Sequence, residues 1–189
     1  VFIAESNNPS DVYDGRLDGY AANEVLKVRR LRTEYRMVFD IEHVHRAVAD
    51  AAAGEFDVFH LSCHGNGDGI GLTDGDSLNW MELARCFGPF ASLQRMIVIS
   101  SCMGGHVGFS KALQKTGSNV RAVFGALDDI GFSDTCIAWS ILYNEFASKP
   151  LTVKTFQGAI DKLNTVIDGR FVYRRFDPIR KLYGRYPSA

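Results

Sequence analysis

No stretch of this chain reaches about 18 consecutive apolar residues, so no membrane-crossing helix is expected. The amino end lacks the basic, apolar and small-residue regions of a secretory leader. Excess charge of either sign is also missing. Lys and Arg number 21 against 22 Asp and Glu, a net −1 over 189 residues. That excludes the basic footprint of a nucleic-acid binder and the polybasic patch of a membrane-surface protein. There is no Cys-x-x-Cys pair, the usual half of a structural zinc site. The four cysteines (Cys63, Cys86, Cys102 and Cys136) are irregularly spaced in a chain too large to need a disulfide framework. They read as free thiols, which favours a reducing compartment, and a cytoplasmic location is expected. Repeats, low-complexity tracts and clear linkers are absent too. One domain over residues 1–189 is expected, alone or as a module of a longer protein.

What is present is ordinary globular material, 46% hydrophobic and 23% charged, enough to bury a sizeable core. Val1-Phe2-Ile3-Ala4 reads as a strand and Glu5 to Pro9 as a loop. Residues 21–28 have helical spacing, and residues 32–39 alternate as a strand does. Asp40 is placed to cap a helix running to about Ala53, closed by Gly54. After a strand near residue 60, Gly65 to Asn79 combines a glycine-rich loop with a small hairpin turning at Asp-Gly. A short helix follows over 80–87, then a strand near residue 98, a helix over 108–115 and a strand over 120–125. Helices over 133–146 (Ile137, Ile141 and Leu142 on one side) and 152–167 come next. A final strand at Phe171-Val172-Tyr173 precedes a basic, Pro-containing tail. Strands alternating with helices imply a mostly parallel sheet between helical layers.

Two strand ends match. Phe56-Asp57-Val58-Phe59-His60-Leu61-Ser62-Cys63-His64-Gly65 and Arg95-Met96-Ile97-Val98-Ile99-Ser100-Ser101-Cys102-Met103-Gly104-Gly105 are both apolar runs that stop at a reactive side chain and then at glycine. The carboxyl ends of parallel strands share one edge, where sites form. His64 and Cys102, about 38 positions apart, then sit side by side. A thiol beside an imidazole is the minimum constellation for cysteine nucleophilic catalysis. The backbone N–H groups of Gly65 and Cys102 are candidates for an oxyanion hole, and glycine at 65 lets the backbone approach. Gly104-Gly105 keeps space open before the next helix.

Two other readings compete. His60, Cys63, His64, Cys102 and His106 supply zinc-type donors, but alternation along a strand puts His60 and His64 on one side and Cys63 on the other. The Gly65 to Gly71 loop lacks the Walker lysine and leads into a hairpin instead of a helix, unlike a phosphate cradle. No metal and no cofactor are expected.

The blocks Val58 to Gly65 and Ile97 to Cys102, with histidine before cysteine, resemble the caspase-like superfamily of cysteine peptidases, its bacterial CHAT domains above all. Gly71-Leu72-Thr73-Asp74 resembles the hairpin after the histidine in CHAT-like members, and Val123 to Asp129 the strand and specificity loop after the nucleophile helix. The resemblance covers roughly residues 1–150. It implies a three-layer α/β/α sandwich and a peptidase forming a thioester at Cys102, with His64 as general acid/base and no third catalytic residue required. It implies a protein or peptide substrate, an activating partner or sensor domain, and no direct role for nucleic acid or membrane. Asp128, Asp129 and Asp134 lie where a carboxylate would hold a basic P1 residue; the same aspartates also suit a solvated loop or a helix cap. The Gln-Ala-Cys-Arg-Gly block of caspases is replaced here by Ser100 to Gly104, which counts against strict aspartate specificity. The second reading is a catalytically silent binding domain on the same fold.

Overall fold

The structure is a computed structural model that describes residues 1–188. Its centre is a seven-stranded sheet ordered β2-β1-β3-β6-β7-β8-β9. The strands are β1 (Phe2–Ser6), β2 (Glu34–Met37), β3 (Val58–Cys63), β6 (Met96–Ser100), β7 (Ala122–Ala126), β8 (Phe171–Asp177) and β9 (Leu182–Tyr186). The first five in that order run parallel; β8 and β9 are added antiparallel. A separate two-stranded hairpin, β4 (Gly69–Gly71) with β5 (Ser77–Asn79), stands beside the end of β3.

β1, β3, β6 and β7 are buried along their whole length. This is why they read as continuous apolar runs: helices cover both faces of a parallel sheet. On one face lie α3 (Ile41–Ala53), α4 (Trp80–Cys86) and α5 (Val107–Thr116), packed on Phe2, Phe59, Leu61, Ile97 and Ile99. On the other lie α2 (Asp18–Val28), α6 (Phe132–Ser148) and α7 (Val153–Val166), packed on Ile3, Val58, Val98 and Phe124. The expected three-layer α/β/α sandwich is present. No described helix is long and apolar enough to cross a membrane.

Local chemistry sets the boundaries. Asp40 caps α3 by accepting from the His43 N–H at 2.8 Å, as expected. Asn79 and Glu82 form a reciprocal capping box on α4. Three expectations need correction. The loop read at Glu5 to Pro9 holds the end of β1 and opens into a one-turn helix, α1 (Pro9–Tyr13), with Pro9 in its first turn and Asn8 as its cap. The basic tail is strand β9, because Tyr183 packs on Phe176 and its hydroxyl donates to the Val120 carbonyl at 3.0 Å. Gly104 and Gly105 do not keep space open. A Cβ on Gly104 would meet the Ile99 carbonyl oxygen at 2.5 Å, and one on Gly105 the Gly125 oxygen at 2.7 Å. These glycines let the loop after Cys102 pack directly on β6 and β7.

Candidate active site

The β3–β6 ladder aligns Ser62 with Ser100. His64 and Cys102 therefore stand two residues beyond a matched pair, at the same edge of the sheet. Their segments touch: a Cβ on Gly65 would lie 2.8 Å from Ser101 Oγ and 3.0 Å from the Cys102 carbonyl oxygen. Only glycine permits that approach, so the requirement at position 65 is close packing against the cysteine turn.

His64 is exposed, with 47% of its side chain accessible. Its Nε2 lies 2.5 Å from Oδ2 of Asp11, a carboxylate whose side chain is only 5% accessible. A carboxylate only accepts, so Nε2 carries the hydrogen and donates. Asn8, whose Oδ1 accepts from the Asp11 N–H at 3.0 Å, lays its amide 3.2 Å from the same ring nitrogen. Arg16 bonds the other Asp11 oxygen at 2.8 Å. The Phe132 ring meets the imidazole edge-on at 5.8 Å. With Nε2 committed, Nδ1 keeps the lone pair, and it has no hydrogen-bond partner among the described residues. Sequence reasoning missed Asp11. It sits on α1, inside a segment taken for a loop, and the only signal was Asn8-Pro9-x-Asp11, an N-cap followed by an acid in the first turn.

Cys102 is half-buried in a tight turn. The next residue, Met103, has φ of +55°, a left-handed conformation uncommon outside glycine. Its N–H donates to the Asp128 carbonyl at 3.1 Å, which ties the turn to the loop after β7. From that loop the Ile130 N–H points at Cys102 Sγ at 3.4 Å. The sulfur also faces the Ile130 carbonyl oxygen at 3.7 Å, so both backbone groups of Ile130 border it. The other three thiols are also free, but burial pushes Cys63 well up and raises Cys86 and Cys136 to about 11. His60 and Cys63 face opposite cores and do not converge: His60 sits under Trp139 and Tyr143, Cys63 in the opposite apolar cluster.

Of the specificity candidates, Asp128 is already engaged. Arg170 grips its carboxylate from Nε at 2.9 and 3.0 Å and from a terminal nitrogen at 2.5 Å, which holds that carboxyl below its ordinary value. Asp129 is exposed, and Asp134 is half-buried in the first turn of α6. Neither has an ion-pair partner among the described residues. Beside His64 opens a cleft of about 440 Å³, walled by His64, Gly65, Asn66, Asp68 and the β4–β5 hairpin. Among the described residues the N–H groups of Gly65 and Cys102 make no backbone hydrogen bond.

Comparison with known proteins agrees on architecture. The solved complex of Porphyromonas gingivalis RgpB pro- and mature domains matches with a TM-score of 0.55 at 11% identity, over 87% of this chain and 43% of that one. The fold is caspase-like. The chain spans less than half the length of that structure. No family model and no curated protein matches the sequence.

Proposed function

We propose that this chain is a cysteine endopeptidase, with Cys102 as nucleophile and His64 as general acid/base. The observation that carries the reading is the seating of Gly65 on the Ser101–Cys102 turn, which joins the histidine loop to the thiol at one sheet edge, with Asp11 fixing the imidazole tautomer. The chemistry follows from those groups. The Cys102 thiol gives its proton to His64 Nδ1, and the sulfur bonds to the peptide carbonyl carbon. The oxyanion is met by the N–H groups of Gly65 and Cys102. The C–N bond then breaks, and the amine leaves with the imidazolium proton. Water, deprotonated by His64, hydrolyses the thioester and restores the thiol. Because the leaving amine takes its proton from His64, the peptide beyond the scissile bond departs along the cleft that His64 lines.

The substrate is a protein or peptide. With Asp128 held by Arg170, Asp129 and Asp134 are the carboxylates left to meet a basic P1 side chain. The likeness of the hairpin and specificity loop to CHAT domains supports a regulated bacterial effector, active in a reducing cytoplasm and switched on by a partner or sensor domain, defence being one setting.

The test is a fluorogenic peptide library varied at P1, cleaved by this chain and by Cys102→Ala. Cleavage after Arg or Lys, lost in the variant, is the expected result. Cleavage after Asp would keep the mechanism and overturn the pocket. Cleavage of nothing, with Cys102 blind to a thiol-reactive peptide probe, would replace the peptidase by a silent binding domain.

A further inference from the structure

Directly beneath the Cys102–His64 edge lies a buried polar group that the chemistry above does not use. Asp18 opens α2, and its side chain passes between two strands. Its Oδ1 lies 2.5 Å from Ser62 Oγ on β3, and its Oδ2 is hydrogen-bonded to Ser100 Oγ on β6. Ser62 and Ser100 are ladder partners, each two residues before a member of the dyad. Trp139 of α6 donates its indole N–H to Ser100 Oγ at 2.6 Å. Ser62 Oγ also lies 3.2 Å from Oε1 of Glu5, a second fully buried carboxyl, at the end of β1.

Counting protons fixes the state of this group. Among the described residues no Lys or Arg pairs with either carboxyl, and two adjacent buried anions without a cation are not tenable. One proton must therefore be held between them. Glu5 is the better anion. It accepts from the N–H groups of Gly19 at 3.0 Å and Tyr20 at 2.9 Å, in the first turn of α2, from the Tyr35 hydroxyl at 2.7 Å and from Asn7 Nδ2 at 3.0 Å. Asp18 meets hydroxyls, those of Ser62, Ser100 and Thr135, and its own N–H, with no backbone amide from another residue. With the proton on Asp18 Oδ1, both serine hydroxyls find a role, while the Thr135 hydroxyl bonds the Phe132 carbonyl at 2.8 Å. Trp139 donates to Ser100, Ser100 to Asp18 Oδ2, Asp18 to Ser62, and Ser62 to Glu5.

We propose that Asp18 is a neutral, proton-bearing cross-tie between β3 and β6 that positions His64 and Cys102. Burial raises both carboxyls above their ordinary values, in keeping with a retained proton. The other titratable groups around it are Tyr35 on β2, Cys63 and His60 on β3, and Cys136 and Tyr143 on α6, none of which is a cation at neutral pH. The positioning role rests on the dyad reading; the proton on Asp18 does not.

Asparagine reproduces a protonated aspartate, donating to Ser62 and accepting from Ser100, whereas alanine removes the tie. The experiment is the rate of Cys102 alkylation by iodoacetamide across pH, in the wild type, Asp18→Asn and Asp18→Ala. Asp18→Asn is expected within about twofold of wild type; Asp18→Ala is expected about tenfold or more slower, with its pH midpoint displaced, as for loss of an outer hydrogen-bond partner. A merely structural Asp18 would leave that midpoint unmoved in a folded Asp18→Ala protein, and that result overturns the proposal. Equal damage in both variants means an ionised Asp18 and overturns it too. If Asp18→Ala does not fold, Ser100→Ala cuts one arm of the tie, and an unchanged profile there is equally fatal. A wild-type Cys102 that alkylates like an ordinary thiol would overturn the dyad and the positioning role with it. The proton is read separately, as a carboxylic-acid C=O band in the wild-type infrared spectrum that is missing from Asp18→Asn; its absence from the wild type refutes the neutral state.

Discussion

The two faces of the sheet are built from the same strands and differ sharply. On the face covered by α3, α4 and α5, β1 presents Phe2 and Ala4, β3 presents Phe59, Leu61 and Cys63, and β6 presents Ile97 and Ile99. Nearly every group there is hydrocarbon or aromatic. On the face covered by α2, α6 and α7 the alternate positions grow more polar toward the carboxyl edge: Ile3 then Glu5, Val58 then His60 then Ser62, Met96 then Val98 then Ser100. One face supplies stability through close packing. The other uses its last buried layer to hold a hydrogen-bonded platform, and His64 and Cys102 stand just beyond it. Buried polar groups are costly unless fully satisfied, so their concentration at this end marks where geometry matters most.

The largest blow to the comparison is expected on the dry face. Phe59 is fully buried, with ring centroids of Phe2, Phe87 and Phe90 at 5.7, 5.1 and 5.8 Å. Phe59→Ala should cost about 3–5 kcal/mol in urea unfolding. Where the variant is folded, the pH profile of Cys102 alkylation should match the wild type. A displaced profile would show that the dry face also shapes the site and would dissolve the distinction.

Asp11→Asn should behave the opposite way. It replaces an acceptor-only carboxylate by an amide that can turn either its oxygen or its NH2 to Nε2, so the His64 tautomer is no longer fixed, on a residue outside both apolar clusters. The expected loss is about 10–100-fold in peptidase rate, with little change in thermal midpoint. An unaltered rate would remove Asp11 from the mechanism and leave a bare dyad, as the family resemblance alone implied.

The polar face should also be visible in the pH dependence of stability, with two opposing signs. His60 is fully buried and pushed down to about 3 from an ordinary 6.5. The folded state keeps it neutral while the unfolded chain takes up a proton, so this contribution is lost as pH falls from about 6.5 toward 3. His60→Leu should flatten the urea midpoint in that window. Glu5 and Asp18 are raised above their ordinary 4.5 and 3.8. The folded state holds a proton that the unfolded chain releases, so their contribution is present below those values and fades as pH climbs above them. Asp18→Asn should flatten that fall. A wild-type midpoint flat from pH 3 to 6.5 in which neither variant changes anything would contradict both assignments.

The dry face was the legible one. Continuous apolar runs announced β1, β3, β6 and β7, and His64 and Cys102 stood out because each ended such a run. What stayed hidden depended on contacts between distant segments. Asp11 is one acid on a one-turn helix, too short for any periodicity. Asp18 and Glu5 look like ordinary surface carboxylates until the sheet brings Ser62 and Ser100 to them. Asp128 looked available because nothing local announces Arg170, 42 positions away. β9 was read as a basic tail because its alternation is weak and it lies at the sheet edge, with no residue fully buried.

The smallest predicted effect lies on α6, the helix that lends Trp139 and Tyr143 to the polar face. Its spacing placed Ile137, Ile141 and Leu142 together on one apolar side. In the fold the buried positions are Thr135, Ala138, Trp139, Leu142, Tyr143 and Glu145, and Ile137 is 46% exposed. The reason is that α6 packs over His60 and Ser100, where a polar-tipped aromatic completes hydrogen bonds that an isoleucine cannot. Ile137→Ser should therefore change stability by no more than about 0.5 kcal/mol, while Leu142→Ala, one turn on, should cost about 2–5 kcal/mol. A large penalty at Ile137 would mean that the helix is rotated so that its aliphatic side meets the sheet. Trp139 would then lose Ser100, and the platform beneath Cys102 would lose its upper anchor.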